Sequence, residues 1–243
     1  MNLLQIVALV AGVTALAAGI GLSILLLGLQ RVFASAPTLW HQNDEPITDT
    51  SLTVVIPAFN EADNIEGCLT HVLMSDKPCS HWEVFVVDDQ SSDNTVKIAE
   101  QTIDIVAGAD QPSAAVLQAG PRPKGERWVG KNWGCSQAME RIRSEWVLFI
   151  DADVTLAPDA IRRALHQSIN EKADLFSLAP RLTCGCLAEW MVQPIMASLL
   201  GLGFPILEAN DPASSVAFAA GPFMLFKRNS YNSIGGHKDL AGE

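Results

Sequence analysis

The sequence predicts an α/β fold: a mostly parallel sheet with helices on both faces, preceded by one transmembrane helix. Three observations carry that prediction. Apolar, β-branched runs recur from residue 52 onward and alternate with helical patterns, the spacing of βαβ units with right-handed crossovers. Several of these runs stop abruptly at carboxylates or other polar side chains, as parallel strands do where they reach the ligand-binding edge of an open sheet. Residues 3–29 make up 27 positions without one charged side chain, and about 20 apolar residues span a bilayer.

The anchor comes first in the chain. A cleavable signal peptide has a basic leading region and a shorter core, whereas Met1-Asn2 offers no basic side chain and no small-residue cleavage site is apparent after the apolar run. Residues 1–31 are therefore expected to be a retained anchor. Arg31, directly after the apolar run, places the remainder of the chain in the cytoplasm by the positive-inside rule. Residues 32–51 are polar, contain Pro37 and Pro46, and are expected to be a linker to a domain over 52–243.

Within that domain the first strand is expected over 52–57, where Leu52-Thr53-Val54-Val55-Ile56 is stopped by Pro57. A helix should come next, through about residue 74. Val84-Phe85-Val86-Val87 is the second strand, and Ser91, Ser92 and Asp93 are candidate caps for the helix that carries Val96, Ile98 and Ala99. A short third strand is expected over 114–117, then a loop over 120–130 rich in Gly, Pro and charge. A helix over 133–142 leads to the central strand at 146–150, another helix spans 158–170, and a further strand lies at 175–178. Residues 187–207 are apolar but contain Glu189, Pro194 and Pro205. They fit a helix at the membrane surface or a buried core helix better than a span. The last strand is expected over 216–226.

Composition narrows the function. The net charge of −11 and a pI near 4.8 argue against broad binding to nucleic acid. An anionic substrate would need a local cation. The five cysteines are irregularly spaced, and Cys184-Gly185-Cys186 lacks a second pair to complete a zinc site, so reduced thiols are expected.

The candidate chemistry sits at Asp151-Ala152-Asp153. If the backbone stays extended there, both carboxylates point the same way and offer hard oxygen donors to Mg²⁺ or Mn²⁺, which would hold substrate phosphates. The alternative is that they cap the helix starting near Asp159. Two more strand ends carry polar sets: Pro57-Ala58-Phe59-Asn60-Glu61 and Asp88-Asp89-Gln90-Ser91-Ser92-Asp93-Asn94-Thr95. Three such ends in succession would converge on one edge of the sheet.

This order of motifs resembles the family-2 inverting glycosyltransferases of the GT-A fold. The resemblance implies that Pro57, Ala58, Asn60 and Glu61 open the nucleotide site. It implies that Asp88 and Asp89 contact base and ribose, and that Asp151 and Asp153 hold the metal-bound diphosphate of a nucleotide-diphospho-sugar, UDP being the default. Trp128-Val129-Gly130-Lys131-Asn132-Trp133 resembles a W-x-G-K-x-W segment of membrane-bound members that glycosylate lipids, among them ceramide, carotenoid and hopanoid-associated enzymes. Asn210-Asp211-Pro212 and Ala219-Ala220-Gly221-Pro222-Phe223-Met224-Leu225 resemble the hopanoid-associated branch. Lys131 would offer a cation to the donor phosphates, or else be a solvated loop lysine. The implied function is inverting transfer of a sugar to a membrane lipid, with a divalent metal, at the membrane and with no nucleic-acid partner.

The sequence also departs from the family pattern. There a Gly-Gly segment, here Gly235-Gly236, precedes an E-D pair whose aspartate is the base, and then Q-x-x-R-W and further membrane helices. None of these precedes Glu243, and neither Asp239 nor Glu243 is assigned as base. The expectation is a C-terminally incomplete chain that retains the donor half, and a non-catalytic, membrane-tethered donor-binding fragment is the main alternative. Two others are weaker. Gly125 to Lys131 spells G-x-x-x-x-G-K, but Asn132 stands where Ser or Thr should ligate Mg²⁺. Asp151-Ala152-Asp153-Val154-Thr155 resembles the nucleophile motif of haloacid-dehalogenase-like phosphatases, which leaves Asp88-Asp89 without a role.

Overall fold

A computed structural model describes residues 2–241 except 36, 41–45, 109–110, 129, 182, 204–205 and 212. Val129, Pro205, Pro212 and Glu243, singled out above, lie outside the described residues, as do the side chains of Arg31 and Pro194. The chain divides into two compact units: Met1–Thr38 with Arg181–Phe218, and Leu39–Pro180 with Ala219–Glu243. Residues 181–218, part of the stretch expected as one domain from residue 52, fall in the first of these units.

The larger unit is built on a six-stranded sheet in the order β3-β2-β1-β4-β6-β5. Its strands are β1 (Ile47–Ala58), β2 (Cys79–Asp88), β3 (Ser113–Gln118), β4 (Trp146–Ile150), β5 (Leu175–Ser177) and β6 (Phe223–Lys227). β1 pairs in parallel with β2 and β4, and β2 with β3. β6 is antiparallel to both β4 and β5, so it alone runs against the rest of this sheet. The central strands alternate between two buried faces, which is why they read as nearly continuous apolar runs. Leu52, Val54, Ile56, Leu148 and Ile150 pack on one face with Ile65, Leu69 and Val72 of α2 (Ile65–Leu73). Ala99 of α3 (Thr95–Val106) and Ile161 and Leu165 of α5 (Ala160–Asn170) join them. On the other face Val55, Val87, Val147 and Phe149 meet Trp133, Cys135 and Ala138 of α4 (Asn132–Met139) and Tyr231 of α8 (Arg228–Ser233). All five residues of β4 are buried.

Three expected strand starts move by several residues, that of β2 from residue 84 to Cys79. β1 begins at Ile47, five residues before the expected start, so the linker expected through residue 51 ends inside a strand. The reason is non-local: Ile47 N–H donates to Pro78 O (3.1 Å) and Thr50 Oγ1 to Glu145 Oε2 (3.1 Å). The last strand is Phe223–Lys227 and not 216–226, because Gly221-Pro222 breaks the ladder and Pro222 O instead accepts from Asp151 N–H (3.2 Å).

The smaller unit contains α1 (Leu3–Ser35), α6 (Leu187–Gly203) and α7 (Ile206–Ala209). Residues Leu3–Gly28 are long and apolar enough to cross a membrane, and none of that stretch is buried. α1 continues into the region expected to be linker. On α6, Trp190, Met191, Val192, Ile195, Met196 and Leu199 are all exposed, which does not fit the core-helix reading of this segment. All five cysteines are free thiols, as expected.

Candidate active site

The carboxyl ends of β1, β2 and β4 open onto one cleft of about 500 Å³. From the β1 end come Pro57, Ala58, Phe59 and Glu61, and from the β2 end Asp89. From the β4 end come Asp151, Ala152 and Asp153. Arg122, Gly130 and Lys131 in the segment between β3 and α4 form another wall, with Gly134 of α4. Gly134 lies against β2, where a Cβ would meet Val87 Cγ1 at 3.5 Å. The three expected strand ends therefore do meet.

After Ile150 the backbone does not stay extended. Val154 N–H returns to Asp151 O (3.1 Å), so the two acids stand on a tight turn. Both still face the cleft. They do not cap α5, whose N-cap position is Asp159. Asp151 forms an ion pair with Lys131, each side chain 30% exposed, and Lys131 Nζ also donates to Gly221 O (3.3 Å). Asp153 is exposed.

Asp89 is 6% exposed and pairs with Arg122, which is 40% exposed. Arg122 also donates to Trp128 O (2.9 Å) and Gly130 O (3.4 Å), fastening the loop over 120–130 to the β2 end. The other Asp89 oxygen, Oδ1, is buried with no hydrogen-bond partner among the described residues. A buried acceptor without a donor is rare and costly. Arg122 was missed in the sequence, where it stands in a Pro- and charge-rich loop with no motif around it.

Asn60 and Asp88 do not line the cleft. Asp88 is 2% exposed, and its carboxylate accepts from Ser91 N–H (3.2 Å to Oδ1, 3.3 Å to Oδ2). Asn60 joins two strand-end loops: its N–H donates to Ser91 Oγ (2.9 Å), and its Oδ1 accepts from Ser92 N–H (2.8 Å). Asp93 ties the same loops, accepting from Thr95 N–H (3.0 Å) and Ala62 N–H (3.2 Å); its bonds to Thr95 above all hold its carboxyl below the usual range. The α3 N-cap position is Asn94, without a side-chain cap bond, so Ser91 and Ser92 do not cap that helix. Asn60 and Gln90, each two residues past the end of its strand, both have left-handed backbones (φ 56° and 67°). Non-glycine residues in that conformation cluster at functional sites, where the surrounding bonds over-determine them.

Behind the cleft, Tyr231 and His237 form a buried pair against Phe149. The tyrosine hydroxyl lies 2.7 Å from His237 Nδ1 and accepts from His237 N–H (2.9 Å). The 2.7 Å contact is a second hydrogen bond, between the two side chains. Burial, with a smaller push from Lys131, lowers the imidazole pKa to about 4. Burial likewise raises the thiols of Cys68 and Cys135 to about 12, Asp153 and Asp151 adding respectively. The pattern Gly125 to Lys131 lies in a loop after β3, with no strand running into Gly125, unlike a phosphate-binding P-loop.

The fold has counterparts of known structure. A mannosyltransferase from Pyrobaculum calidifontis, solved with GDP-Man and Mn²⁺, superposes with a TM-score of 0.61 at 21% identity, covering 92% of this chain and 57% of that one. Staphylococcus aureus TarS 1-349 in complex with UDP-GlcNAc gives 0.53 at 19% identity, covering 76% and 47%. Among curated proteins, the 4,4'-diaponeurosporenoate glycosyltransferase of Staphylococcus aureus (strain bovine RF122 / ET3-1) is 27% identical over 194 residues, 77% of this chain and 47% of the relative. The chain thus spans about half the length of the curated relatives it matches. The profile "Glycosyl transferase family 2" matches residues 53–235, which covers every strand of the sheet except the start of β1, and on that match the chain belongs to glycosyl transferase family 2.

Proposed function

We propose that the cleft binds a nucleoside-diphospho-sugar, with UDP the favoured nucleotide, for inverting transfer to a membrane lipid of the carotenoid, hopanoid or ceramide type. The observation that carries this reading is the convergence of Glu61, Asp89, Lys131, Asp151 and Asp153 in one cleft at the carboxyl edge of the sheet. The unpartnered Asp89 Oδ1 is the kind of acceptor a ribose hydroxyl or base N–H would satisfy. Asn60 and Asp88 hold the loops around that subsite instead of meeting the nucleotide.

The residues also fit a divalent metal. Asp151 and Asp153 supply two carboxylates, and among the described residues no third His, Cys, Asp or Glu groups with them. Mg²⁺ and Mn²⁺ at phosphate sites take one or two carboxylates and complete their shell with phosphate and water. The cation would supply Lewis-acid stabilisation to the departing diphosphate. In a single displacement the bond from the anomeric carbon to the diphosphate oxygen breaks, the bond to the acceptor oxygen forms, and the acceptor proton passes to a base. Asp151 and Asp153 serve the metal, Asp89 is paired with Arg122, and Glu61 accepts from Asn64 Nδ2 (2.9 Å). The base is therefore expected outside these four, and these residues account for donor binding.

The lipid acceptor is supported by the carotenoid glycosyltransferase among the relatives and by the apolar exposed faces of α1 and α6. On this reading residues 1–31 anchor the chain, the catalytic domain is cytoplasmic, and 187–207 lie at the bilayer surface. Calorimetry with UDP, with and without Mn²⁺, tests the donor site. Binding should require the metal and be lost in Asp153→Ala; metal-independent binding, or an unaffected variant, would refute the assignment. A reporter fused after residue 243 that is active only outside the cytoplasm would refute the topology.

A further inference from the structure

Lys131 has a role that its place in the cleft makes specific. We propose that its ammonium is a built-in counter-cation for Asp151, which a divalent metal displaces and which then passes to the donor phosphates. The proposal rests on the donor-site reading above and deepens it. It predicts that metal and nucleotide help each other bind, with Lys131 as the reason.

Two acids face the cleft from one turn, and ionised neighbours destabilise each other. Of the two, Asp151 carries the ion pair, to Lys131. Its partner's backbone is fixed: Lys131 takes the N-cap position of α4, its carbonyl accepts from Cys135 N–H (3.0 Å), and Trp133 and Cys135 are buried just beyond. The ammonium is less confined. It hangs on a four-carbon stem, both partners are 30% exposed, and its bond to Gly221 O is long (3.3 Å).

The second ion pair of the cleft behaves differently. Arg122 holds Asp89 while also bonding Trp128 O and Gly130 O, and Asp89 is 6% exposed. A planar guanidinium with three acceptors is a fixture, whereas a lysine is a mobile point charge. A divalent cation entering at Asp151 and Asp153 must therefore displace the lysine, and the two cations repel if the lysine stays nearby. The displaced ammonium remains in the same cleft, where a diphosphate would offer it new acceptors. Lys131 thus opposes metal alone and favours metal with donor, and the coupling must appear reciprocally in donor affinity.

The test is Mn²⁺ titration of the full chain in detergent, tracked by the free-ion electron paramagnetic resonance signal. Without nucleotide, Lys131→Gln should bind Mn²⁺ on the order of tenfold more tightly than wild type, since one unit of repelling charge is gone. Lys131→Arg, which keeps the charge on a fork that can hold the carboxylate more firmly, should bind Mn²⁺ no more tightly than wild type, and Lys124→Gln, which removes an exposed lysine from the same segment, should stay within about twofold of it. With saturating UDP the order should invert, Lys131→Gln becoming the weaker Mn²⁺ binder. Equal or weaker Mn²⁺ binding by Lys131→Gln in the absence of nucleotide overturns the proposal, as does an equal gain in Lys124→Gln. If no protein binds UDP, the donor-site reading fails, and the nucleotide-free titration still decides the exchange.

Discussion

Removing Arg122 should cost more stability than an exposed arginine normally contributes. Asp89 is 6% exposed, its Oδ2 is held by Arg122, and its Oδ1 has no partner among the described residues. Arg122→Met would leave a nearly buried carboxylate without a counter-charge. Breaking a fully buried pair costs about 3–5 kcal/mol. Because Arg122 is 40% exposed, water reaches the pair and screens it, which reduces the expected loss to about 2 kcal/mol. The two backbone bonds to Trp128 O and Gly130 O go as well, so the loop over 120–130 should loosen. Asp89→Asn removes the charge that needs compensating and should cost less than about 1 kcal/mol. The double variant should therefore be more stable than Arg122→Met alone. The assay is thermal unfolding of the four proteins in one detergent, read as a double-mutant cycle; at this size about 2 kcal/mol corresponds to roughly 4–8 °C. Additive losses in the double variant, or an Arg122→Met protein as stable as wild type, would refute the account of Asp89 as a buried charge dependent on its arginine.

The same geometry sets three other outcomes. Gly236 has φ 55°, and a Cβ there would run into the Tyr231 ring, a rigid group in the core, whereas at Gly235 (φ 75°) it would meet the mobile Asp239 carboxylate. Gly236→Ala should thus lose about 3 kcal/mol or more and Gly235→Ala about 1–2, and a reversed order in urea melts would refute the ring clash. His237 is neutral in the fold with its pKa lowered to about 4, so the unfolded chain binds its proton first. Stability should fall as pH drops from about 6.5 to 4, by on the order of 2–3 kcal/mol; Lys131→Gln removes the smaller cause of the shift and should make that slope slightly shallower, and a wild-type stability flat across this range would refute the buried neutral imidazole. The thiols of Cys68, Cys79 and Cys135 are buried and raised to about 12, 11 and 12, so iodoacetamide at about pH 8 should modify Cys184 and Cys186 quickly and the other three only after denaturation. Rapid native labelling of Cys135 would contradict the packing of α4.

What the sequence determined by itself was what local patterns encode. The alternation of apolar runs and helices marked a position within each strand, most clearly for β1, β2 and β4, because parallel strands buried on both faces must be apolar throughout while their carboxyl ends must not. The order of the three polar strand ends was enough to bring Glu61, Asp89, Asp151 and Asp153 to one edge. The resemblance to family 2 was legible in the same residues. The tertiary structure decided whatever depends on partners distant in the chain. Ile47 and Thr50 join the sheet because Pro78 and Glu145 come to meet them. β6 enters between β4 and β5 against the direction of both. Asn60 and Asp88 turned out to hold loops, since Ser91 and Ser92 satisfy them 31 to 32 positions away for one and three for the other. Arg122 and Lys131 acquired their carboxylates, Asp89 and Asp151, across 33 and 20 residues. A charge in a polar loop carries no mark of its counter-ion, because the energy that selects the pair arises only where folding brings the two together out of water.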